Sequence, residues 1–411
     1  MTHPRATTSL DRAVRGRRHP VGITLIATVA LVAGMSSMAA AAPGWAIVAS
    51  PSPGVSAGSG QASFAHVSCV ASNWCEAVGT SAPPSGTGPL VEHWNGAKWV
   101  NQQIPGAVGY GSLHGTLSGV ACVTKGFCMA VGTIGLGVTF GESWNGTKWT
   151  IMTLPDTTNG GAFDWLGGVS CTSVHWCMAV GQYVTGTTTE VARALAEIWN
   201  GRSWHVVPTA FYDLGVGNAL NDVSCQLKGA TSVCTAVGYV STKSAVLRDL
   251  VETWNGAAWA LVGSTNPPVP VAQLNSVSCV ASGPCEAVGY DQGPNPTDPI
   301  NTLVVRWSGS AWTVTSAKNV SSKGTGFNGV WCRTAVQCVA VSSYTNTVAN
   351  RYQTLIESWN GSSWTVVQSP NRSTSLGDDL QSVNCTTNHL CVAVGRYDNS
   401  LMTGTLAEIQ K

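Results

Sequence analysis

The chain is short of charge, with 21 Lys plus Arg and 20 Asp plus Glu in 411 residues and a formal net charge of +1. That balance offers no basic surface for nucleic acid. So little charge beside 17 Trp and 46 Gly also excludes a disordered chain and a coiled coil, which need abundant charge and few aromatics. No Cys-x-x-Cys occurs among the 14 cysteines, and the eight histidines are too few to complete tetrahedral Cys/His sets for seven cysteine pairs, so neither a metal nor another cofactor is expected. The apolar run from Val21 to Met35 falls short of the ~20 residues a membrane span requires.

That run follows Arg5, Arg12, Arg15, Arg17 and Arg18 and ends in small residues up to Ala42. Residues 1–42 therefore read as an export signal, cleaved near Ala41 or retained as an anchor. Residues 43–411 are expected to form a single domain, secreted or at the cell surface, with no membrane span of its own.

What the chain has is repetition. Cysteines fall in seven local pairs whose first members recur every 49 to 54 residues. Each unit reads Leu/Phe-x-x-Val-x-Cys, a short gap, Cys-x-Ala-Val-Gly with small variations, a variable stretch, then Glu-x-Trp-Asn-Gly-x-x-Trp; Leu274 to Gly289 is the cleanest copy of the cysteine half. The short segments between turn residues are rich in Val, Trp, Thr and Leu, which reads as four antiparallel strands, A to D, per unit. Asn-Gly at Asn95, Asn145, Asn200, Asn255 and Asn360 marks a tight C–D hairpin. Four strands in about 50 residues is the pattern of propeller blades. The expected fold is all-β, a seven-bladed β-propeller with four antiparallel strands per blade.

The last unit lacks a strand D, and the chain's start supplies one. Gly44-Trp45-Ala-Ile-Val matches Ser363-Trp364-Thr-Val-Val, while Thr405-Leu-Ala-Glu-Ile-Gln matches Ala194-Leu-Ala-Glu-Ile-Trp. The N-terminal strand is thus predicted to close the last blade, removing free sheet edges. With Glu142-Ser-Trp-Asn-Gly-Thr-Lys-Trp149 as its C–D turn, the chain resembles secreted bacterial propellers of the Kelch and Asp-box (BNR) kind over residues 45–411. That resemblance implies the architecture. It departs from the Asp-box pattern Ser-x-Asp-x-Gly-x-x-Trp, since Asn stands directly before Gly, and the Arg-Ile-Pro motif of sialidases is absent.

Exported, even in number and locally paired, the cysteines predict seven disulfides: Cys69–Cys75, Cys122–Cys128, Cys171–Cys177, Cys225–Cys234, Cys279–Cys285, Cys332–Cys338 and Cys385–Cys391. The longer gap in the fourth pair suggests partners facing across a hairpin whose loop can lengthen.

Residues repeated in every unit serve the scaffold, whereas residues that select a ligand break the symmetry. Glu92, Glu142, Glu197, Glu252, Glu357 and Glu408 recur two places before the strand-C Trp position and read as structural, as do the Trp pairs. Glu76 and Glu286 follow the second Cys only in units one and five. The D–A and B–C connections share one propeller face and carry the variable sequence. The first offer Tyr110, His114, Asp156, Asp164, Trp165, Tyr212, Asp213, Asp378 and Asp379, and the second Tyr290, Asp291 and Tyr352. Aromatics with carboxylates suit a sugar, and no catalytic residue stands out. The expectation is a monomeric, non-catalytic module binding carbohydrate or an extracellular protein. The alternative is a polysaccharide-cleaving enzyme with two carboxylates near the central channel.

Overall fold

Along each strand-A segment, Leu or Phe and Val recur on one face while small or polar residues hold the other, so only the first face demands burial. In the computed structural model the described residues are 44–410 except 54, 56–59, 83–86, 105–114, 136, 156, 158–162, 186–190, 211–214, 243–245, 263–268, 270, 282, 296, 373–375 and 399–401. They form 28 strands and no helix.

The A strands are Gln61–Ala71, Gly115–Thr124, Asp164–Ser173, Gly215–Lys228, Val271–Cys279, Thr325–Thr334 and Gly377–Cys385. Each pairs antiparallel with its own strand B, B with C and C with a short D, as in Trp74–Ala82, Gly88–Trp94 and Trp99–Asn101 of the first sheet. The last sheet takes its fourth strand from the other end of the chain. Trp45–Ile47 pairs antiparallel with Thr403–Gln410, Trp45 opposite Gln410 and Ile47 opposite Glu408. Each A strand contacts the A strand of the next sheet, and the last contacts the first. The chain is a β-propeller, with the A strands innermost.

Two devices set the strand geometry. Every A strand carries a bulge, between Phe64 and His66 in the first sheet and at the matching place in the other six. The backbone there presses onto strand B so closely that a Cβ on Gly79 would lie 2.0 Å from the Ser63 carbonyl oxygen; this is why the repeat reads Ala-Val-Gly. At the C–D turn, Asn95 accepts hydrogen bonds from the Ala97 and Lys98 amides at 3.0 Å. Gly96 follows at φ +95°, a left-handed conformation open to glycine without penalty. The turn is a four-residue loop closed by the Asn side chain, longer than the two-residue hairpin that Asn-Gly suggests.

The core lies between sheets. Seven hydrophobic clusters each combine residues of two successive sheets. A strand-D Trp enters each, from Trp99 and Trp149 through to Trp45. In six sheets that ring also packs, tilted, against the strand-C Trp with centroids 5.7 to 6.1 Å apart. All seven cysteine pairs are bonded across the A–B hairpin with Cα atoms 4.0 to 4.1 Å apart. The longer Cys225–Cys234 gap is absorbed by three further register pairs, Gln226–Val233, Leu227–Ser232 and Lys228–Thr231.

Candidate functional site

The bulge leaves one residue per A strand outside the ladder: Ala65, Ser118, Gly167, Asn221, Asn275, Asn328 and Gln381. Together with Trp165, Gln273 and neighbouring residues, they line an axial channel of about 400 Å³ to which all seven A strands contribute. Three of the amides stitch neighbouring sheets: Asn221, Asn275 and Asn328 donate Nδ2–H to the carbonyls of Leu274, Phe327 and Leu380 at 2.7 to 2.8 Å. On the other side of the channel the corresponding residues, Ala65, Ser118 and Gly167, are small, so its wall is asymmetric.

At the mouth, on the face of the D–A and B–C connections, a cleft of about 360 Å³ opens over the fifth to seventh sheets. Tyr290, Tyr352, Lys323 and Arg396 line it with Asp379 and the amides of Asn275, Asn328 and Gln381. Tyr290 sits at the end of its strand B and donates its hydroxyl to Gln273 Oε1 at 3.3 Å. Gly326 makes room beside it, since a Cβ there would lie 2.8 Å from Tyr290 Cβ. Tyr352 is 55% exposed.

The carboxylates of this region are already engaged. Asp379 accepts from Asn328 at 3.3 Å and from Gln381, with Arg396 Nε at 3.9 Å. Burial pushes its pKa up, opposed by hydrogen bonding from Ser343 and by the Arg396 charge. In the channel, Asp222 accepts from the Val223 amide, the Ser276 hydroxyl and the Val277 amide at 2.8 to 3.0 Å. His66 is held below its ordinary pKa by burial, partly offset by Asp222. Its Nδ1 accepts the Val120 amide at 3.5 Å.

Strand alternation sorts the sequence candidates. Tyr290, Tyr352 and Asp379 meet in the cleft, and Trp165 lines the channel. These residues belong to strands rather than connections, as do Asp164, Asp291 and Asp378. Asp164 and Asp378 are 2% and 0% exposed, because each is one residue away from a channel-facing neighbour and so points to the packed face. Asp378 accepts the Arg372 amide and Asp164 the Thr157 hydroxyl, both at 2.6 Å. Asp291 accepts Asn301 Nδ2 at 3.2 Å. Tyr110, His114, Asp156, Tyr212 and Asp213 lie outside the described residues. The bulge amides were missed, although the first x of Leu/Phe-x-x-Val-x-Cys, which varies inside a constant motif, could have pointed to them.

The recurrent glutamates are fully buried, and Glu92, Glu252, Glu357 and Glu408 clip one sheet to the connection of the preceding one. Ser50 donates to Glu92 at 2.6 Å, the Ala210 amide to Glu252 at 3.0 Å and Ser369 to Glu408 at 2.9 Å. Burial raises the pKa to about 7 at Glu92, Glu252 and Glu357 and to about 8 at Glu197 and Glu408. Glu76 and Glu286 pair across strands B and C with His93, at 2.9 Å, and with Arg306. They sit beside the second Cys, at the opposite end of the strands from the cleft. Among the described residues no group of three His, Cys, Asp or Glu is placed to hold a metal ion.

No protein-family model matches the chain, and no curated protein does. Solved structures of similar fold include YCF48 from Cyanidioschyzon merolae, 12% identical, covering 89% of this chain and 98% of that one with a TM-score of 0.50. A polysaccharide lyase of family PL25, an ulvan lyase, is 10% identical over 89% and 94%, again at 0.50. A lectin from Aleuria aurantia, a six-bladed propeller, is 10% identical over 75% and 97% at 0.43. At these identities the likeness is one of fold.

Proposed function

We propose that residues 43–411 form an exported, monomeric, seven-bladed propeller of Kelch- or Asp-box-like build that recognises carbohydrate without cleaving it. The site is the cleft at the channel mouth. The observation that carries this reading is the cleft's make-up: Tyr290 and Tyr352 supply rings, Asn328 and Gln381 supply planar amides, and the nearby Asp379 and Asp222 are each held by three or more partners. A sugar offers apolar C–H faces to rings and hydroxyls to amides, whereas hydrolysis needs two carboxyl groups set across a scissile bond. Seven disulfides suit an oxidising compartment and support export. Twenty-eight strands, six consecutive groups of four and a last three completed by the chain's first strand, support the count of seven.

The test is a glycan array and a polysaccharide pull-down with the chain lacking residues 1–42, reducing-sugar release being measured alongside. Binding without release is expected. Tyr352→Ala should weaken the best glycan at least tenfold with an unchanged Tm, since the exposed ring carries no core packing. Release abolished by Asp379→Asn would overturn the non-catalytic reading in favour of the cleaving enzyme, and an intact affinity in Tyr352→Ala would move the site elsewhere.

A further inference from the structure

Two departures from the repeat meet at one seam. In six sheets the strand-C Trp stands opposite the second half-cystine, as Trp359 does opposite Cys338. In the last sheet Gln410 stands opposite Cys391 instead. Elsewhere that indole packs toward the preceding sheet, as Trp94 and Trp254 do, and at Trp94, Trp144 and Trp199 its N–H reaches a carbonyl of the A–B turn. The seventh sheet therefore lacks the strand-C ring at its seam with the sixth and brings only the strand-D ring of Trp45 there.

From across that seam, Trp331 enters. The equivalent residues Ser68, Ser170, Ser224, Ser278 and Asn384 each accept the amide of the first half-cystine in the next sheet at 2.9 to 3.1 Å. Trp331 has no oxygen to do so. Its ring packs with the cluster between these two sheets, and the Arg333 guanidinium lies over it at 5.8 Å.

The result is a cleft of about 450 Å³ on the face of the A–B and C–D turns, walled by Trp331, Arg333, Gln337, Asn360, His389 and Gln410 with the Cys385–Cys391 disulfide. Among the described residues no Asp or Glu lines it. Arg333 donates to His389 Nδ1 at 2.6 Å and to the Thr386 carbonyl at 3.1 Å. His389 holds φ +69° where the same turn of the fifth sheet has Gly283 at +124°. Such a conformation costs about 1 kcal/mol or more for a non-glycine residue, and the side chain kept at that cost faces Arg333 and the cleft.

We infer that this seam is a second binding site, taking a small planar aromatic ligand that bears an anionic substituent. The ring occupies space an indole fills in the six other sheets, against Trp331, and the substituent meets a wall whose described residues offer donors and no carboxylate. Apolar cavities of about 150 Å³ already hold one benzene, so the volume admits a bicyclic ring.

Calorimetric titration of the secreted chain with indole-3-acetate, indole and tryptamine tests this. Indole-3-acetate should bind, with tryptamine at least tenfold weaker. Gln410→Trp and Trp331→Ser restore residues that other sheets carry and should each weaken indole-3-acetate at least tenfold, while the first raises Tm. Gln337→Glu, at the exposed first position of a strand B, should weaken indole-3-acetate several-fold and leave indole unchanged. No heat with indole-3-acetate at millimolar concentration, or binding undiminished in Gln410→Trp, would overturn the proposal. Glycan binding at the opposite face should be unaffected by all three substitutions, so the two sites stand or fall separately.

Discussion

At Gly309 the chain tests how much a single backbone conformation matters. Its φ is +99°, and an added Cβ would have nothing within 4 Å, so Gly309→Ala isolates the left-handed penalty from any clash. It should lower unfolding free energy by about 1 kcal/mol, read as a lower urea midpoint at constant m. Residue identity also separates the two kinds of carboxyl group. Glu76 and Glu286 break the repeat. Their partners are themselves symmetry-breaking: His93 and Arg306 occupy the directly opposite register positions, where His93 Nδ1 lies 2.9 Å from Glu76 Oε1 and Arg306 donates to Glu286.

Single strands do their work through seams. The residue between Val and Cys of each A strand accepts an amide of the next sheet at five of seven seams, including the one from Asn384 to Cys69 that joins the chain's last sheet to its first. Ser278→Ala should cost about 1 kcal/mol. The second seam has Ala121 at this place, and Ala121→Ser should add a few tenths to 1 kcal/mol by supplying the acceptor its neighbours have. The closing strand matters more. Trp45 is 7% exposed and sits in the cluster between the sixth and seventh sheets, so Trp45→Ala should cost about 3–5 kcal/mol, visible as a large drop in Tm. The carbonyl hydrogen-bonded ladder alone, three residues long, would not hold the ends together.

For the whole molecule the consequence of so many buried carboxyl groups is a pH dependence of definite sign. Glu92, Glu252, Glu357, Glu197 and Glu408 are raised from 4.5 to about 7 or 8 by burial. The folded state thus binds more protons than the unfolded one between these values. Their contribution is fully present below 4.5 and is lost as pH rises through 7 to 8. His66, lowered from 6.5 by burial, acts oppositely and loses its contribution as pH falls below 6.5, but it is one group against these five and against Glu76 and Glu286, which burial also raises to about 7. The urea midpoint should therefore be higher at pH 5.5 than at pH 8.5. Glu357→Gln, which keeps an acceptor for the Lys318 amide, should flatten that slope; an unchanged slope in this variant together with Glu408→Gln would remove these glutamates as its cause.

What could be read from the sequence is what recurs. The spacing of the cysteines, the Trp-Asn-Gly-x-x-Trp turns and the match of Trp45 to Trp364 are local patterns copied many times, and a pattern copied at every blade needs no distant contact to be legible. Strand register, bulges and seams are different in kind. Whether Asp378 or Asp379 faces the channel depends on which residue the bulge leaves unpaired, and that is set by pairing with strand B rather than by either residue. Likewise Gln410 and Trp331 lie 79 positions apart in the chain, and only the packing of the seventh sheet against the sixth brings the missing indole of one against the extra indole of the other. Composition and repeat dictate the scaffold because each blade buries the same face in the same way. The clefts exist where two blades differ, and the distance between differing residues is a property of the assembled ring.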